Sequence, residues 1–259
     1  MVPLLLLFWW SFRAPGVPGL TLANFQKLLG DAFFLQTLWL SVRLSLEVTA
    51  VTLVLAFPLA YIYTTRLGPG PRVAILFITL LPLLTSAVVR SLAWIVILGR
   101  HGLINDALLG IGLVDAPVKL LFTHEGVRIA MAQVQLPFML LPLINTMEQL
   151  DPTLEKAAIS LGASQARAFF RVTVPLSAPG IVAGAILSFA LTISAFITPA
   201  MVGGGSYTVM PTLIYQSAII TLDWSTASTT ALILLVVALI VVWGGMAVAN
   251  RYRYGPGDA

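Results

Sequence analysis

The chain reads as an all-α integral membrane protein, and three observations lead there. Of its 259 residues, 59% are hydrophobic and only 9% charged, with a mean hydropathy of +0.98. A soluble domain carries roughly 25% charged residues. The apolar residues gather in runs long enough for helices to cross about 30 Å of hydrocarbon, which takes about 20 residues each. Between two of these runs lies a short polar segment with helix start and stop signals of its own. The net charge of +4 fits basic residues gathered in cytoplasmic loops, so no nucleic-acid partner is expected. The length allows one membrane domain, 1–259. With no cysteine, disulfides, iron–sulfur clusters and cysteine-bound zinc are excluded.

Residues 37–62, 73–98, 127–147, 178–199 and 228–249 each read as a span. Pro3–Trp10 is equally apolar but too short to cross at 1.5 Å per residue. It lacks the positive n-region and small-residue cleavage site of a signal peptide. It is therefore read as a first transmembrane helix clipped at its start, which makes six. With the N-terminus inside, the cytoplasmic segments hold Arg66, Arg72, Lys156, Arg167, Arg171, Arg251 and Arg253. The outer segments hold Arg13, Lys27, Arg100, Lys119 and Arg128. The excess favours cytoplasmic N- and C-termini. Outer segment 99–126 is rich in Gly and Leu and carries His101 and His124. Outer segment 200–227 contains "VGGGSYTVMP", a flexible turn. The two halves share no evident repeat, so the paired broken helices of many secondary transporters have no signal here.

The polar segment Leu154–Gly180 follows Asp151-Pro152, a cap and a first-turn proline that start a helix. Glu155 near the first turn suits the helix dipole. Leu154, Ala157, Ala158 and Leu161 form one apolar stripe, and Gly162 is a natural stop because glycine accepts the left-handed conformation. Ser164 caps a second helix, in which Ala166, Phe169, Phe170 and Thr173 share a face while Arg167 and Arg171 lie on another. Pro175 is expected to end it. Two short helices with a bend therefore leave the bilayer. From the residues alone two readings stand. One is an amphipathic hairpin resting on lipid; the other is a docking knob with apolar anchors and a charged rim. The hinge glycine and terminal proline lean toward docking, since an element that transmits force must be stiff.

These residues resemble a known loop. Lys156-Ala157-Ala158, three residues, Gly162, nine residues, Val172, one residue and Val174-Pro175 keep the spacing of the EAA loop of importer-type ABC permeases. That pattern reads E-A-A, G, I and L-P. Lys156 stands where the pattern has glutamate, with Glu155 just before it. "FPLAYIYTTR" (57–66), "SAVVRSLAWIVILGRHGLIND" (86–106), "QLPFMLLPLINTMEQLD" (135–151) and "FITPAMVGGG" (196–205) look like the spermidine/putrescine branch of that family.

The resemblance implies a six-helix type I importer permease of the bacterial inner membrane. It implies a coupling loop, 149–177, seated in a separate ATPase through Glu155, Lys156, Ala157, Ala158, Leu161, Gly162, Phe169, Phe170 and Pro175. It also implies a second permease, two ATPase subunits and a periplasmic binding protein as partners, a small polyamine-like solute and no cofactor. One observation is independent of the resemblance. The lysines are Lys27, Lys119 and Lys156, preceded by Gln, Val and Glu, so the Gly-Lys of a P-loop is absent. An ATP-driven machine would hydrolyse ATP on another chain.

Charges inside spans are costly and often functional. Arg43 and Glu47, four apart, read first as a structural pair and second as a cation attractor through Glu47. Arg90 reads as structural or interfacial, with a place in the pathway as the alternative. Trp94 and Trp224 read as interfacial residues, or as cation–π contacts for an ammonium cargo. His101 and His124 are too distant in sequence, and too little supported by nearby carboxylates, to suggest a metal site. An ion-driven secondary transporter is the rival reading. It would want a buried acidic or Asn/Ser-lined ion site, and Glu47 is the one acidic residue well inside a span. A membrane-embedded enzyme would want a His/Asp/Glu cluster at one depth.

Overall fold

In the computed structural model, residues 2–13, 19–151, 153–205 and 207–253 are described, with side chains from Leu5 to Ala247. Helices follow one another as α1 (Val2–Ser11), α2 (Ala23–Leu29), α3 (Ala32–Thr65), α4 (Pro69–Leu80), α5 (Ala87–Leu98), α6 (Leu103–Gly110) and α7 (His124–Glu148). Next come α8 (Thr153–Ser160), α9 (Gln165–Ala168), α10 (Val174–Leu176), α11 (Ala178–Ile193), α12 (Ile197–Gly203), α13 (Met210–Tyr215) and α14 (Trp224–Arg253). No strand occurs among the described residues.

The count of spans departs from six. Among the described residues four helices are long and apolar enough to cross: Ala32–Thr65, Ala87–Gly110, His124–Glu148 and Trp224–Ala247. The pair Gln165–Leu176 and Ala178–Ile193, bent by 63°, makes a fifth if counted as one span. The expected span 73–98 is not one rod. After α4 the chain tightens into a 3-10 turn, Leu81–Leu84, and restarts at α5. Pro82 has no N–H to continue the ladder, and Ser86 caps the new start, its Oγ accepting the Val88 N–H at 3.3 Å. α1 has 10 residues, too few to cross by itself.

The chain divides into two compact units, one of residues Met1–Val48, Thr85–Met131 and Ala190–Val241, the other of Thr49–Leu84, Ala132–Phe189 and Val242–Ala259. The first unit centres on Leu44, Val48, Leu98, Val127, Met131, Val202 and Tyr207. Several of its buried polar groups pair inside the protein, as a bilayer favours. The Ser91 and Thr198 hydroxyls are 3.0 Å apart, and Ser41 Oγ accepts the Met210 N–H at 2.8 Å. The fully buried Asn105 closes a loop by donating to the Gly99 and Val118 carbonyls, each at 3.0 Å.

The second unit packs Ala56, Ala60 and Tyr63 of α3 against Met139, Leu140, Leu143 and Met147 of α7, with Ile181 and Ala185 of α11 alongside. Two glycines set the approach of α11 to α7. A Cβ on Gly180 would lie 2.7 Å from Thr146 Oγ1 and 2.8 Å from the Pro142 carbonyl. One on Gly184 would lie 2.7 Å from Met139 Sδ. This is the small-xxx-small spacing that lets membrane helices touch backbone to backbone.

Candidate functional site

The polar hairpin between α7 and α11 is assembled by short-range signals. Asp151 Oδ1 accepts the Thr153 N–H at 2.9 Å and caps α8. That bond holds the Asp151 carboxyl below its ordinary value. Pro152, read as the first-turn proline, lies outside the described residues. Gly162 adopts φ +92, the left-handed stop. Ser164 then caps α9, its Oγ accepting the Arg167 N–H at 3.3 Å.

Beyond α9 the expectation of a helix ended by Pro175 is corrected. The chain widens into a π-helix, Phe169–Thr173, and runs through Pro175 within α10. The Val174 N–H reaches back to the Phe169 carbonyl, and one residue later stands the proline. A proline in a regular helix clashes with the carbonyl four residues before it, and a wider turn directly upstream relieves that clash. The bend comes instead at Ser177, whose Oγ donates to the Thr173 carbonyl at 2.7 Å.

The widened turn also redistributes the faces. Phe169 turns inward, edge-on to Phe57 and Tyr61 of α3 with ring centroids 5.7 and 5.0 Å away. Phe170 points out, 67% exposed. Ala166 is exposed while Ala168 and Thr173 are buried, so the inward face of this helix is 168–169–173.

Glu155 faces the protein. The Tyr61 hydroxyl donates to its Oε1 at 2.8 Å, and the Thr173 hydroxyl donates to its Oε2 at 2.8 Å. One carboxylate therefore fastens α8 both to α3 and to the other arm of the hairpin. Lys156, next in sequence, is exposed, as are Ala157, Leu161, Arg167 and Arg171; Ala158 is half-buried. Behind α8 opens a cavity of about 460 Å³ with Tyr61, Arg72, Glu148, Glu155 and Lys156 in its walls. Arg72 is steadied there by donating to the Thr64 carbonyl at 2.8 Å, by Tyr63 beneath its guanidinium at 5.3 Å, and by Glu148 at 4.0 Å.

The residues read as pathway candidates lie elsewhere, in the first unit. Glu47 Oε1 accepts from Arg43 Nε at 2.7 Å. Its Oε2 bonds His124 Nε2 and lies 3.6 Å from Arg128 Nη1. His124 Nδ1 is 2.8 Å from the Tyr207 hydroxyl, and Arg128 also pairs with Glu125. The Glu47 carboxylate thus meets three basic groups, of which sequence spacing pointed only to Arg43. His124 is 77 positions away and carried no local signal. Arg90 is half-buried on α5, and Trp94 packs against the Leu44–Val127 core.

Known proteins resemble this chain along most of its length. The family model described as "Binding-protein-dependent transport system inner membrane component" matches residues 19–254. The chain is 31% identical, over 89% of its own length and 84% of the relative's, to the spermidine/putrescine transport system permease protein PotB of Escherichia coli strain K12. It is also 31% identical to the protein of the same name in Haemophilus influenzae, over 86% of this chain and 78% of the relative. Among solved structures, a bacterial ABC transporter involved in the import of the acidic polysaccharide alginate superposes with a TM-score of 0.74. That match is at 20% identity and covers 96% of this chain and 89% of that one. At such identity the structural match carries the fold alone.

Proposed function

The chain belongs to the family of binding-protein-dependent transport system inner membrane components, and from that premise we propose how it works as an ABC importer permease. It is a multi-pass inner membrane transport protein, not an enzyme. In the proposed reading it carries a small cationic amine of the polyamine class from periplasm to cytoplasm, with both termini cytoplasmic. It pairs with a second permease, receives solute from a periplasmic binding protein, and draws on ATP hydrolysed by two separate ATPase subunits. The substrate class rests on the relatives named for spermidine and putrescine. The separate motor is supported by the absence of a Gly-Lys pair anywhere in the sequence.

The observation that carries the coupling role is the two-sided build of the hairpin 149–177. Its outer side leaves Leu161 90% and Phe170 67% exposed, apolar anchors of the kind that fill a partner's pocket. Its inner side is fixed to α3 through Glu155 and Phe169. A displacement imposed from outside therefore reaches a long membrane helix without slack. Glu155 acts in this scheme as a positioning residue inside the lever, while Lys156, Leu161, Gly162 and Phe170 form the contacting side. Solute access then alternates between two conformations whose balance ATP and the loaded binding protein set.

Reconstitution tests the reading. Chain, partner permease and ATPase in proteoliposomes are expected to accumulate labelled polyamine only with ATP and binding protein. Phe170→Asp is expected to abolish ATPase retention without loss of membrane insertion. Normal transport by that variant contradicts the assignment of the hairpin.

A further inference from the structure

Resting on the reading of residues 149–177 as the ATPase-docking loop, we infer that the surface receiving it is acidic, with carboxylates facing Lys156, Arg167 and Arg171. The residue before Lys156 does not put a carboxylate on the outer side, because Glu155 points inward and accepts from Tyr61 and Thr173. Lys156, Arg167 and Arg171 are all exposed, the two arginines beside one groove and Lys156 in the wall of the cavity that Glu148 and Asp151 also line. The side chains of these three make no hydrogen bond or ion pair among the described residues. The one outward carboxylate of the loop, Asp151, is engaged at the start of α8.

The shape favours a protein over a lipid surface. Between the two arms lies a groove of about 340 Å³, walled by Ala158, Leu161, Gly162 and Ala163 with Arg167 and Arg171 on its far side and no acidic residue in its lining. A flat layer of headgroups leaves such a groove unfilled, whereas a protruding side chain enters it. Guanidinium groups bind carboxylates through paired, charge-assisted hydrogen bonds. The fitting partner surface is an ATPase pocket that takes Leu161 and Phe170 and carries Asp or Glu opposite the arginines.

The test uses the full chain co-expressed and purified with the ATPase subunit of its importer. ATPase retention is followed as salt rises from about 50 to about 500 mM, across the range where screening becomes short. Wild-type retention is expected to fall with salt. Lys156→Glu and the double variant Arg167→Glu/Arg171→Glu are expected to weaken retention about tenfold or more at low salt. A matching Asp→Lys or Glu→Lys change on the ATPase is expected to restore it. Variants that retain ATPase as the wild type does at every salt overturn the acidic surface while leaving docking in place. A wild-type chain that retains no ATPase overturns the docking reading itself. Lost binding to phosphatidylglycerol vesicles, with ATPase retention unchanged, assigns the basic groups to lipid and also overturns the inference.

Discussion

The Tyr61 hydroxyl donates to Glu155 Oε1 at 2.8 Å, joining positions 94 apart in the chain. This contact links the end of a long membrane helix to the first turn of a helix that stands outside the apolar runs. Glu155 serves an internal joint, and the outward charge of the loop is reversed.

Loosening the joint is expected to separate motor from transport. Tyr61→Phe and Glu155→Gln each remove or weaken a hydrogen bond to a charged group, a loss of about 1.5–3 kcal/mol when the charge is well shielded. Glu155 is only half-buried, so the lower end applies. The expected outcome is retained ATPase association with several-fold less solute moved per ATP hydrolysed. The ratio of uptake to phosphate release measures it, and an unchanged ratio removes Glu155 from the lever.

Gly162 separates backbone strain from contact. Its φ is +92, yet nothing lies within 4 Å of where a Cβ would stand. Gly162→Ala is therefore expected to destabilise the hairpin by about 1–2 kcal/mol through conformation alone. Hydrogen exchange at Ala163 to Arg167 reads the loosening directly, with protection in α7 and α11 unaffected.

Gly184→Leu acts on the helix interface instead. With Met139 Sδ at 2.7 Å and the Met139 carbonyl at 3.0 Å from the first added carbon, overpacking of about 1–3 kcal/mol or more is expected. Gly205→Leu meets no atom within 4 Å at its Cβ and serves as the tolerated control. Thermal unfolding in detergent compares the two.

Asp151 sets an acid limit on the start of α8. Its carboxyl is held below the ordinary value by the Thr153 N–H. A depressed carboxyl stabilises the folded state above the unfolded pKa of about 3.9. That stabilisation is lost as pH falls through the lower folded value. Amide protection at Leu154 to Lys156 is expected to hold from neutral pH down to about 4 and to decline below. Asp151→Asn is expected to keep the cap and lose most of this acid dependence.

Much of the fold was legible because its signals are local. Apolar length announced the long helices, and Gly162 and Ser164 announced the bend and the second start within one turn each. The break after Leu84 was masked by continuous apolarity, although Pro82 and Ser86 both pointed to it. In the hairpin, regular helical spacing placed Phe169 and Phe170 on one face. The π-helix, which accommodates Pro175, sends them to opposite sides. The spacing Gly180-xxx-Gly184 was visible in the sequence but identifies no partner helix without α7 beside it. The direction of Glu155 and the meeting of Glu47 with His124 depend on residues far away in the chain, which no local pattern encodes.

In the proposed reading, ATP hydrolysed on another subunit drives transport through this chain by way of its hairpin. Uptake of labelled spermidine into proteoliposomes, compared between active and hydrolysis-dead ATPase, tests this reading. Uptake is expected to stop with the dead ATPase and to be indifferent to collapse of the proton gradient. Uptake that continues with the dead ATPase and stops when the gradient is collapsed would contradict it.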